Sequence, residues 1–413
     1  MKIASLAVAL CLLVAGCSGG HSMRTIGMRR ALDAGDPLRA IAHLNDELGV
    51  EAHSDRPKKL QNDDALLVLD RAAIKQSIAD VAGSKRDYEM ADKAIDTLDL
   101  SRNATDAVGR WLFSDAAGRY VAPPHEKVLV NVLNLVNYLE SSDLAGARVE
   151  ARRMSVTARY LRDTSKGPSA SLGIGSMLAG FVYERSGDLE EASRYYADAG
   201  SAAPSPLGGD EGEILVVVGW GRVPHRVANH VPLAAALPQA TPFLSLSDRQ
   251  AATTSLTAWV HYPSLAQENP MGPPPIVKVD GKAAALGATL DVTGEVKAEW
   301  AKIEGHVLAA ATSRCIARVV AGKSIEAATQ ASNNRTVEGI GFLVSLFGQI
   351  AANAADVPDT RSWETMPARL AIARVRVTPG EHRVHLEAQG MRREGSLAVA
   401  PGGWRAISLF ALR

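Results

Sequence analysis

The chain has 413 residues, of which 46% are hydrophobic and 22% charged, enough apolar material for two or three domain cores at roughly 150 residues each. That composition excludes wholesale disorder and collagen-like repeats. Lysine plus arginine and aspartate plus glutamate both number 45, so the basic footprint of a nucleic-acid binder is missing and no nucleic-acid partner is expected.

Taken in chain order, Lys2 opens a short basic region, and Ile3 to Ala15 form an uncharged, mostly apolar run. The run is too short for a stable bilayer span and has the length of a signal-peptide core. It ends in Leu13-Val14-Ala15-Gly16-Cys17, which resembles the lipobox of bacterial lipoproteins. The resemblance implies that residues 1–16 are removed and that Cys17 carries the lipid, with small residues at Ala15 and Gly16 giving a peptidase access. Several acyl chains hold a protein on a membrane far more firmly than one. Ser18 follows the cysteine where an aspartate would favour the inner membrane, so the resemblance implies the outer membrane, facing the periplasm. Cys11 leaves with the leader and Cys17 is the anchor. Cys315 is then alone, no internal disulfide is available, and it reads as a buried small hydrophobe.

Residues 17–204 read as a helical domain. Gly180, Tyr183, Gly187, Asp188, Ala192, Tyr196, Ala199 and Pro204 fall at steps that resemble the tetratricopeptide (TPR) pattern. Small residues let two antiparallel helices approach, Tyr183 and Tyr196 fill the space between them, and Gly187-Asp188 makes the turn. Weaker copies centre on Asp36, Asp80 and Asp143, each followed four residues later by alanine or serine. Their spacings of 44, 63 and 45 residues exceed the repeat of about 34 in a strict array, so insertions separate the pairs. The largest insertion, 101–124, holds Trp111, Phe113 and Tyr120. These aromatics either cap the helical array or line a binding groove.

Residues 205–413 read as a mixed α+β domain, giving a fold class of helical repeats followed by α+β. Ile214 to Val218 is a buried strand candidate, Leu256 to Tyr262 a half-buried one, and Ile276 to Val279 another. A helix is expected over 293–331 with a break near Gly322, and a second over 337–355. Arg369–Val377 and His382–Ala388 then read as a hairpin around Pro379-Gly380, with strands near 397–400 and 405–409 after it. The second helix includes an uncharged stretch from Gly339 to Ala355. It reads as a core helix, or else as one that packs on a partner or lies against the membrane.

The lipobox cysteine, the segments 138–152 and 183–199, and above all Asp359-Thr360-Arg361-Ser362-Trp363 with Pro367 and Pro379-Gly380 resemble a family of uncharacterised bacterial outer-membrane lipoproteins with TPR-like N-terminal halves. The resemblance implies no activity. Arg361 and Trp363 are either internal, with Asp359 pairing Arg361, or part of a binding surface.

Catalytic patterns are missing. Ala317 to Ser324 fits only a relaxed phosphate-loop pattern and sits in helical sequence. There are ten histidines but no HExxH, no CxxC and no Ser-x-x-Lys, so no metal, no cofactor and no enzymatic activity are expected. The sequence therefore points to a lipid-anchored periplasmic scaffold of the cell envelope that binds a protein partner. Candidate contacts are Tyr138, Tyr183, Trp111, Arg361 and Trp363. A homo-oligomeric structural component is the main alternative, and an enzyme acting on glycan or peptidoglycan the lesser one.

Overall fold

A computed structural model of the chain describes residues 20–52, 55–60, 63–99, 120, 122–163, 170–244, 246, 258–268, 270–330 and 358–413. Cys17, Trp111 and the 337–355 segment lie outside the described residues. The layout is helical first, then α+β. The helices are α1 (His21–Arg24), α2 (Ile26–Asp33), α3 (Pro37–Leu48), α4 (Asp64–Ser77), α5 (Val81–Asp99), α6 (Pro124–Glu140), α7 (Leu144–Asp163), α8 (Ala170–Arg185) and α9 (Leu189–Asp198). The strands follow, with α10 (Leu233–Ala240) and α11 (Val292–Gln330) among them. No helix among the described residues is long and apolar enough to cross a membrane.

Helices α2/α3, α4/α5, α6/α7 and α8/α9 pack as hairpins, and each hairpin packs on the next. All four hairpin turns are built alike. The residue before each turn aspartate is left-handed: Gly35 (φ 75°), Ala79 (φ 62°), Ser142 (φ 56°) and Gly187 (φ 80°). The amide of the aspartate then donates to the carbonyl five residues back: Asp36 to Ala31 at 2.8 Å, Asp80 to Lys75 at 2.9 Å, Asp143 to Tyr138 at 2.8 Å and Asp188 to Tyr183 at 3.0 Å. This satisfies carbonyls that the end of a helix would otherwise leave unpaired. The same aspartate's carboxylate accepts the amide three residues on, from Arg39, Gly83, Gly146 and Glu191, and so caps the following helix. One residue thus ends one helix and starts the next, which is why Asp recurs at each turn.

Among the described residues the strands form three sheets. The central one has the order β10 (Trp404–Ala411), β1 (Gly212–Arg222), β7 (Pro367–Val377), β6 (Ala288–Asp291); β1 runs parallel to β10 and antiparallel to β7. A second sheet has the order β5 (Lys282–Ala283), β4 (Ile276–Val279), β8 (Gly380–Ala388), β9 (Met391–Val399). Strands β2 (Arg226–Pro232) and β3 (Trp259–Leu265) pair separately and pack with α10 against α11.

The alternation of side chains sorts β1 into two faces. Ile214, Val216, Val218 and Trp220 meet Val384, Leu386 and Val277 of the second sheet. Leu215 and Val217 face the other way and join one continuous core with the helices. The result is three layers: helices, central sheet, second sheet. The helical sequence and the sheet sequence on either side of residue 204 therefore share a core.

Two expectations need correction. Strands β7 and β8 do not pair with each other; the Pro379-Gly380 turn is a corner that carries the chain from the central sheet to the second one. The hairpin is instead β8–β9, where Gln389 (φ 48°) and Gly390 (φ 74°) make the two-residue turn that favours positive φ at both positions. The break expected near Gly322 is also missing, since α11 runs through it as far as Gln330. The relaxed phosphate-loop match is therefore helix and makes no loop.

A candidate partner-binding groove

Helix α7 carries Arg148, Arg152, Ser155 and Arg159 at steps of four, three and four, which places them on one face. That face and the α8–α9 hairpin line an open groove of about 330 Å³. Its floor is aromatic. Tyr183 of α8 and Tyr195 of α9 stack with centroids 5.2 Å apart and planes at 24°. The Arg148 guanidinium lies 4.7 Å over Tyr183, and Arg194 lies 5.7 Å over Tyr195. Arg152 Nε donates to the Tyr183 hydroxyl at 3.3 Å, and the hydroxyls of Ser155 and Tyr195 are 2.6 Å apart. Burial pushes the Tyr195 phenol above its ordinary pKa, which keeps it a neutral hydroxyl.

Four arginines line this groove against two carboxylates, Asp188 and Glu191. Both carboxylates already serve the chain. Asp188 caps α9 and lies 3.5 Å from Arg148, and Glu191 pairs with Arg194 along the helix. Val156, which also lines the groove, is 67% exposed. Exposed arginine beside exposed apolar surface over a rigid tyrosine floor suits an acidic protein segment with apolar side chains.

The preceding junction repeats the plan with different charge. Lys85 lies five residues after Asp80, and its Nζ sits 4.9 Å over the ring of Tyr138; Arg148 lies five after Asp143 and covers Tyr183. Nine residues after each aspartate, Glu89 accepts from the Tyr138 hydroxyl at 2.6 Å where Arg152 donates to Tyr183. Burial and then Glu89 push the Tyr138 phenol well above its ordinary pKa. Tyr138 and Tyr183 are thus equivalent positions on successive hairpins. The Tyr183 junction opens into the arginine groove. An acidic side chain at the Tyr138 junction replaces the basic one.

Arg361 and Trp363 are internal, so they are not part of an exposed partner site. Segment 359–365 threads between helices and sheet, and almost every residue is tied down. Arg361 Nε donates to Asp359 at 2.7 Å, and Thr360 accepts from the Ser22 amide at 3.0 Å. The Trp363 amide donates to Glu126 at 3.1 Å and its indole N–H to Thr365 at 3.1 Å, with the ring edge-on to Tyr88. Glu364 accepts from Thr25 at 2.9 Å and from Arg29 at 2.6 Å. The side chain of Trp363 is wholly enclosed, which removes it from any surface contact. Burial of this kind is what a sequence cannot report for a mixed polar and aromatic segment.

A second polar seam joins α8 to the sheet. Arg374 on β7 donates to Glu213 at 2.7 Å through both Nε and Nη2, to Glu184 at 3.0 Å and to the Tyr196 hydroxyl at 2.7 Å. These acceptors hold its guanidinium well above the ordinary arginine pKa despite burial. Tyr196, which the sequence places between two helices, therefore also reaches the sheet. Its ring lies against Gly180, where an added Cβ would come within 2.7 Å of it.

Cys315 is buried, with its Sγ 3.4 Å from the Trp259 carbonyl oxygen. Among the described residues no group of three His, Cys, Asp or Glu side chains is arranged to hold a metal ion. No family model, no curated protein and no solved structure matches this chain.

Proposed function

We propose that this chain is a lipid-anchored scaffold of the bacterial cell envelope, tethered through Cys17 to the periplasmic face of the outer membrane. In this reading the helical hairpins act as a TPR-like array, and the groove beside Tyr183 recruits an acidic segment of a partner protein. The observation that carries the reading is the groove itself: arginines on one exposed face of α7 over the stacked Tyr183–Tyr195 pair. A tether suits recruitment, because it raises the effective concentration of whatever is bound. The role needs no catalysis, and the arrangement of side chains in the groove serves binding.

The test is photo-crosslinking in cells with the reactive side chain placed at Val156. One dominant envelope protein should be captured, and capture should fall at least about tenfold in an Arg152→Glu/Arg159→Glu variant. A Cys17→Ala variant should lose the capture without losing the fold. Self-crosslinks alone would replace the scaffold reading with a structural oligomer, and capture unchanged by the charge reversals would remove the groove from the account.

A further inference from the structure

A different site lies where the N-terminal helices meet the end of β1. Helix α2, the β1–β2 connection and Glu364 enclose a cavity of about 150 Å³. A cavity of that size holds a ligand of about six heavy atoms. Its walls are charged, with Arg29, Arg30 and Arg222 facing Asp33 and Glu364.

These groups are not equally occupied. Arg29 is committed, donating to Glu364 at 2.6 Å and to the Ser22 carbonyl at 2.6 Å. Glu364 is committed too, since it accepts from Arg29 and from Thr25. Arg222 is only half used. Its Nη2 reaches Asp33, but its Nε–H is buried with no hydrogen-bond partner, on a side chain only 6% exposed. His225 lies across the cavity, and among the described residues its imidazole has no hydrogen-bond partner. Burial lowers the imidazole pKa, and Arg29 and Arg222 lower it further, against the raising effect of Glu364 and Asp33. With His225 neutral the cavity carries one net positive charge.

A buried, unpaired N–H on a charged group is costly. The Nε–Nη edge of arginine presents two parallel donors spaced to match two oxygens of one oxyanion. We propose that this cavity binds a small oxyanion, a carboxylate of up to about six heavy atoms or inorganic phosphate. Arg222 is the fork, His225 donates a second hydrogen bond, and exposed Arg30 draws the anion to the mouth. Asp33, whose side chain is 55% exposed, is the internal carboxylate that the ligand displaces from Arg222.

The test is calorimetric titration of the full chain with acetate, lactate and phosphate at constant ionic strength, with chloride as the control anion. Saturable one-to-one binding of acetate or lactate is expected if the ligand is a carboxylate, and of phosphate if it is phosphate. Either should weaken at least about tenfold in Arg222→Lys, which keeps the charge but loses the fork, and in His225→Ala. Circular dichroism establishes that the variants fold, and His225→Ala decides if Arg222→Lys does not. The proposal fails if none of the three anions binds saturably up to about 10 mM. It also fails if binding is the same in wild type and His225→Ala, which would mean an adventitious ion only.

Discussion

The two faces of β1 are packed by different rules. Toward the second sheet, the contacts are apolar throughout: Ile214, Val216 and Val218 against Val384, Leu386 and Val277. Toward the helices, apolar contacts alternate with buried charge, as at Arg374–Glu213–Glu184, and the polar seam continues beyond β1 at Asp70 of α4, whose carboxyl accepts the amides of Glu364 and Thr365 just before β7. An apolar face is stabilised by the area it buries. A polar seam gains little net energy, because desolvation offsets the attraction, but it penalises every wrong register heavily. The sheet-to-sheet face therefore supplies bulk stability, and the helix-to-sheet seam sets how the two halves meet.

The largest effect should come from breaking the seam at one point. Arg374→Ala leaves Glu184 and Glu213 with only Arg185 of the two cations they share, and should cost about 3 kcal/mol in chemical denaturation. Replacing the whole set together, as Arg374→Met and Arg185→Met with Glu184→Gln and Glu213→Leu, should cost much less. If the single and combined changes cost the same, the seam works by packing and the contrast between the faces fails.

On the apolar face, Leu386→Ala should cost about 3 kcal/mol with no dependence on pH. The seam should show the opposite behaviour. Burial, and after it the charge of Glu364, push the Asp70 carboxyl up to about 7. An unfolded aspartate titrates near 3.9. Between about pH 4 and 7 the folded chain thus holds a proton that the unfolded chain has lost, and stability falls as pH rises. Asp70→Asn keeps an oxygen for the Glu364 and Thr365 amides, and should remove up to about 1.4 kcal/mol per pH unit from that slope. An unchanged slope would assign it to Glu150, which burial and Asp92 likewise push up to about 7.

The smallest of these effects lies in the hairpin turns. Asp143→Ala removes one helix cap and should lower stability by about 1 kcal/mol, leaving the groove chemistry intact. A loss several times larger would show that the turn also fixes the angle between α6 and α7.

The turns were also the most legible part of the sequence. Asp36, Asp80, Asp143 and Asp188 stand out because each performs a local task, and local tasks leave short motifs. Strand β1 could be read for a related reason: burial on both faces demands an unbroken apolar run. Pairing was harder. Pro379-Gly380 signals a turn correctly, yet the flanking strands belong to different sheets, and nothing within ten residues encodes which partner a strand will take. In the groove, Tyr183 was visible through the helical pattern. Arg148, Arg152 and Arg159 were not, because arginines on a helix face usually mean solvated surface. Only the stacking of α7 beside α8 and α9 turns that stripe into a wall. Cavity residues such as Arg222 and His225 come from distant stretches and carry no shared signal.

The position of β1 also bears on how the chain reaches this state. Both of its neighbours in the sheet, β7 and β10, lie roughly one hundred and fifty residues or more further along, so its pairing has to wait for distant segments. The helical hairpins close locally and early by comparison. Between those two moments Ile214 to Val218 emerges with two apolar faces and no partner strand, which makes it the segment most prone to stick to other chains and the natural hold for a chaperone.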